Sequence, residues 1–122
     1  MKASPAPKAT LVRSPPTADA MARLRDRAHE AAALMKVLAN PDRLLLLCHL
    51  LDTERTVADL GALSGIAQPM LSQQLAVLRH VELVATRREG KSIHYRVASA
   101  AVRAVLRTLH RLYCTPGHAA MH

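Results

Sequence analysis

From Val84 onward the apolar residues stop recurring at every third or fourth position and begin to alternate. Val84, Thr86 and Arg88 lead into a Glu89-Gly90 turn, and Ile93, Tyr95 and Val97 then alternate with Ser92, His94 and Arg96. That pattern predicts a two-stranded antiparallel hairpin with a basic rim. Everything around it has the helical period. Met21, Leu24, Ala28, Ala31, Met35 and Leu38 make one stripe on a helix from Asp19 to Leu38. Asn40-Pro41 then supplies an N-cap and a first-turn proline. The helix it opens, to Leu51, is apolar almost all round and is expected to be the buried central one. Thr56-x-x-Asp59 has the form of a capping box for a short third helix that Gly65 stops. Gln68-Pro69 opens a fourth with Leu71, Leu75 and Leu78 inward, and Ser99 caps a last one with a broad apolar face.

The order is α-α-α-α-β-β-α. Two short helices joined by a tight Gly-containing turn, then a basic hairpin, describe a winged helix-turn-helix: mainly α with a small β-hairpin. Residues 1–17 hold four of the seven prolines without periodicity and are expected to be a disordered tail. Residues 18–114 are the expected domain, and 115–122 a C-terminal tail.

Composition narrows the function. Half of the 122 residues are hydrophobic, yet there is no Phe, no Trp and only two Tyr, so the core must be aliphatic. Few aromatics also argue against binders of single-stranded nucleic acid, which stack bases on rings. The net charge is +8, and residues 79–111 carry eight basic groups against Glu82 and Glu89. A duplex nucleic acid is the expected partner, and no membrane, since no apolar run approaches the roughly 18 residues of a span. Without a signal-type N-terminus the chain is expected in the cytoplasm. No Gly-rich phosphate loop, CxxC pair or His-Asp spacing suggests an enzyme, and no cofactor is expected.

The stretches LMKVLANPDRLLLLCHLL (34–51) and TVADLGALSGIAQPMLSQQLAVLRHVELVATRREGKSIHYRV (56–97) resemble the ArsR/SmtB family of bacterial winged-helix repressors. The resemblance covers about residues 30–114. Its most specific parts are L-x-N-P-x-R-L, Q-P-x-x-S-x-x-L and G-K-x-x-x-Y-R. It implies a homodimer that releases an inverted-repeat operator when an effector binds. The family often has Ser before Gln-Pro and His before the following Leu, where this chain has Ala67 and Gln74.

Metal-sensing members carry Cys-Val-Cys-Asp in the third helix, where this chain has Thr56, Val57, Ala58 and Asp59. Zinc ligands of the last helix are replaced by Ser99, Ala101 and Leu112, so no metal site is expected. Cys48 in LLLLCHLL and Cys114 in HRLYC instead resemble the dual-cysteine subgroup of BigR, SqrR, YgaV and HlyU. That resemblance implies sensing of persulfides, polysulfides or oxidants through a Cys48–Cys114 bridge. A Cys in a Leu-rich helix can equally be a small hydrophobe, and two thiols with a His could hold a soft metal or metalloid. His49, His110, Arg111 and His118 lie near the thiols in sequence, and cationic neighbours favour thiolate.

For DNA the candidates are Gln68, Pro69, Ser72, Gln73, Gln74 and Arg79 of the fourth helix, with Arg87, Arg88, Lys91 and His94 on the wing. For the dimer they are Met21 and Leu24 of the first helix, and Val102, Leu106 and Leu109 of the last.

Overall fold

Asn40 separates the first two helices and caps the second. Its extended backbone breaks the helical run, and its side-chain oxygen accepts a hydrogen bond from the Arg43 N–H at 3.0 Å. The computed structural model describes residues 17–114; both expected tails otherwise lie outside that range. Helix α1 is Ala18–Leu38, and α2 is Pro41–His49 with its proline in the first turn. Among the described residues, 17–33 form one compact unit and 34–114 a second, so the boundary falls within α1.

Local chemistry explains each later element. Strand β1 is Arg55–Thr56, and α3 follows as Val57–Ser64. The capping box is complete: Thr56 Oγ1 accepts from the Asp59 N–H at 3.1 Å, and Asp59 Oδ2 from the Thr56 N–H at 3.2 Å. Gly65 ends α3 in the left-handed region at φ 75°, where a Cβ would be strained. Helix α4 is Met70–His80, so Pro69 stands just before it rather than inside its first turn. Gln68 does the capping, its Oε1 accepting from the Ser72 N–H at 3.1 Å and the Ser72 hydroxyl at 2.7 Å.

Strands β2 (Val84–Glu89) and β3 (Ser92–Val97) form the expected hairpin. Pairing of Glu89 with Ser92 leaves Gly90-Lys91 as the loop, one residue later than the sequence suggests, with Gly90 at φ 61°. The sheet is three-stranded, in the order β1-β3-β2 and antiparallel throughout, because Arg55 and Thr56 pair with Tyr95 and His94. Helix α5 (Ala100–Tyr113) starts at Ser99, whose hydroxyl oxygen accepts from the Val102 N–H at 3.1 Å.

The core is aliphatic: Leu38, Leu46, Leu47, Leu50, Leu60, Leu71, Leu75, Leu78, Val84, Val97, Val102 and Leu106. Two expectations change here. Helix α2 is not buried all round, since Leu45 is 40% exposed. Val102 and Leu106, expected at a dimer interface, have no exposed surface and belong to the protomer's own core. No described helix is long and apolar enough to cross a membrane.

Candidate nucleic-acid interface and thiol pair

Burial of Leu71, Leu75 and Leu78 fixes which face of α4 looks outward. Gln68, Pro69, Ser72, Gln73 and Arg79 are all exposed, but they are not equivalent. Gln68 and Ser72 are bonded to each other in the helix cap. Gln74 is partly buried, its Oε1 accepting from Arg43 Nη1 at 3.0 Å and its Nε2 facing the Met70 sulfur at 3.1 Å. Arg43 in turn donates through Nε to the Val37 carbonyl at 2.8 Å. Gln74 therefore ties α4 to α2, and its amide is already engaged with Arg43 and Met70, unlike that of the exposed Gln73. Gln73 is exposed with no side-chain hydrogen bond to a described residue.

The wing carries its own acids. Arg87 Nε lies 2.7 Å from Glu54 Oε1, and its Nη1 is 3.2 Å from Glu89 Oε1. The Glu54 hydrogen bond pushes the Arg87 guanidinium pKa still higher, so Arg87 stays charged but is shared with two carboxylates. His94 Nε2 is 3.6 Å from the same Glu89 oxygen, and Arg88 Nε donates to the Gly90 carbonyl at 3.2 Å. Lys91, at the tip, is exposed and paired with no described carboxylate. Glu54 is the residue that sequence reasoning missed. It lies 33 positions before Arg87, beside a strand too short to show alternation.

The two thiols stand at the far ends of their helices. Cys48 is half-buried near the end of α2, and Cys114 is exposed at the cap of α5, where its N–H donates to the His110 carbonyl at 2.8 Å. Both are free. Burial pushes the Cys48 thiol pKa up, and the Cys114 charge pushes it further the same way. Two positions 66 residues apart in sequence are thus within electrostatic reach. Cationic neighbours do not win at Cys48: desolvation does.

The profile of the family described as "bacterial regulatory protein, arsR family" matches residues 40–86, from the α2 cap into β2. The chain is 45% identical over 93 residues to the biofilm growth-associated repressor of Agrobacterium fabrum, covering 76% of this chain and 80% of that one. The chain belongs to the ArsR family. The structure of reduced HlyU from Vibrio cholerae matches with a TM-score of 0.73 at 41% identity, covering 76% of this chain and 98% of that one. A homodimeric winged helix-turn-helix DNA-binding domain from Mycobacterium bovis matches with a TM-score of 0.64 at 29% identity, covering 89% and 96%. This ArsR protein is a winged-helix DNA-binding regulator of the BigR and HlyU type.

On α1, Met21 is 41% and Leu24 58% exposed. On α5, Leu109 is half-buried and Tyr113 exposed.

Proposed function

We propose that this ArsR protein is a cytoplasmic, homodimeric repressor. Its reduced form holds an inverted-repeat operator, and reactive sulfur or an oxidant releases it by bridging Cys48 to Cys114. The observation that carries the reading is the thiol pair: Cys48 half-buried, Cys114 exposed, and the Cys114 charge raising the Cys48 pKa beyond what burial does.

Cys114 reacts first because it is accessible. Its thiolate attacks the outer sulfur of a persulfide, the donor leaves as a thiolate, and Cys114 keeps one sulfur as Sγ–SH. The Cys48 sulfur then attacks Cys114 Sγ, expelling hydrosulfide and leaving a disulfide. With peroxide the same two thiols give a disulfide and two waters. Closing a bond requires Cα atoms about 4.4–6.8 Å apart, so bridging pins the end of α5 to α2. Helix α2 is tied to α4 through Arg43 and Gln74. A displacement of α2 is thereby passed to the helix that faces DNA.

On the operator, Gln73 is the side chain available to bond a base, adenine being the natural bidentate partner of an amide. Lys91, Arg88 and Arg79 supply phosphate contacts, with Arg87 and His94 beside them. Two such surfaces related by a dyad read half-sites about 10–10.5 bp apart, or a multiple. Intact mass after polysulfide, peroxide or neither tests the chemistry. The wild type should lose about 2 Da on forming a disulfide or gain about 32 Da per sulfur retained. A wild type that never loses two hydrogens within one molecule under either treatment would refute the bridge.

A further inference from the structure

Between the segments that carry the two thiols lies an open cleft of about 370 Å³, lined by Leu51, Asp52, Arg107, His110 and Arg111. The Leu51 N–H donates to the Cys48 carbonyl at 3.3 Å, so one wall begins a single turn after Cys48. His110 accepts from the Cys114 N–H, so the other wall ends one turn before Cys114. An adjoining cleft of about 310 Å³ shares Leu51, Asp52 and Arg107 and adds Arg96 and Arg103.

The charge in this place is unbalanced. Asp52 is taken by Arg107, Oδ1 to Nη2 at 2.9 Å, in a pair more than half exposed on both sides. Glu54, the other acid of the adjoining cleft, is taken by Arg87. Arg111 and His110 are exposed and meet no carboxylate among the described residues. Arg107 keeps further donors beyond its one bond to Asp52. The exposed Arg111 guanidinium, three positions before an exposed thiol, is a fork suited to a carboxylate.

We infer that this cleft is the docking site for the effector, and that the effector is a small sulfur donor whose non-reacting part carries carboxylates. The inference rests on the sulfur-sensing reading of the two thiols. Arg111 and Arg107 hold the donor's carboxylates while its sulfane sulfur meets Cys114. Cys114 Sγ forms the new S–S bond, the donor's own S–S bond breaks, and the donor departs as its thiolate. A neutral or cationic donor gains nothing from the cleft.

The test reads the rate of disulfide exchange at Cys114, which is independent of DNA release. It uses full-length Cys48→Ser protein, in which Cys114 is the only thiol. The probes are dithiobis(nitrobenzoate), which carries carboxylates, neutral dithiodipyridine, and cationic cystamine. Each rate constant is divided by that of the same probe with mercaptoethanol. The normalised rate should favour the carboxylate probe over the neutral one by about tenfold and fall toward parity near 1 M salt. Arg111→Gln and Arg107→Gln should each cut that preference at least about threefold, and Asp52→Asn, which frees Arg107, should raise it. Lys36→Gln removes one exposed charge outside the cleft and sets the effect of net charge alone. Equal preferences in Arg111→Gln, Arg107→Gln and Lys36→Gln would overturn the assignment, as would a preference for the neutral probe in the unsubstituted cleft. If the preference behaves as stated but polysulfide fails to release DNA, the cleft stands and the regulatory reading falls.

Discussion

Cys48 and Cys114 divide the work because one is half-buried and the other exposed. Iodoacetamide at pH 8 should label Cys114 first, with peptide mass spectrometry locating the adduct; Cys48 labelled first would reverse the proposed order. In Cys114→Ser, Cys48 labelling should rise with pH along a curve displaced above the ordinary thiol value near 8.5, because burial resists the thiolate. The same displacement sets a sign for stability. A thiol whose pKa is higher in the folded chain contributes stability that is complete below the unfolded value, near 8.5, and is lost as pH rises toward the folded value. Urea titrations from pH 8 upward should therefore show a decline that Cys48→Ala lacks.

Helix termini were the parts most legible in the sequence, because each rests on one or two side chains within four residues. Asn40, Thr56 with Asp59, and Ser99 all cap as their spacing implies. Thr56→Ala should cost about 1 kcal/mol in chemical denaturation, and a neutral result would show that α3 does not depend on its box. The Asp59 carboxyl is held below its usual range by the Thr56 hydrogen bonds, so that contribution is present above about pH 4 and disappears as pH falls through the lowered value. Longer-range features were not legible. A two-residue strand shows no alternation, so β1 went unseen, and with it Glu54 at the wing. Gln68, Ser72, Gln73 and Gln74 look interchangeable in the sequence, yet two cap the helix, one braces α2 and one is free. Gln73→Ala should relax preference at one base pair, costing about 1–3 kcal/mol. Gln68→Ala should weaken all sequences alike by loosening the start of α4. Binding titrations against single-base variants separate these outcomes, and a uniform loss in Gln73→Ala would contradict its direct contact.

At the scale of the molecule, the broad apolar face of α5 looked like a dimer surface because periodicity records apolarity, not what covers it. Val102 and Leu106 are covered by the protomer itself. Leu106→Glu should thus unfold the chain rather than merely separate subunits, since an unpaired carboxylate would replace a fully buried side chain. Leu24→Glu, at a residue 58% exposed on α1, should leave the helical circular dichroism intact and shift sedimentation toward the monomer. A dimeric Leu24→Glu protein would remove α1 from the proposed interface. That the Cys114 charge acts on Cys48, 66 positions earlier, follows from tertiary packing that no local pattern encodes.

The central claim is that one chemical event at this pair decides whether DNA is held. Fluorescence anisotropy, with a duplex that the reduced protein has selected from a random pool, measures it directly. Reduced wild type, Cys48→Ser and Cys114→Ser should bind alike. After polysulfide, wild-type affinity should fall by about a hundredfold or more, as expected when several phosphate contacts are lost together, while both variants keep theirs. A treated wild type that stays bound, or a treated Cys114→Ser protein that lets go, would contradict the account.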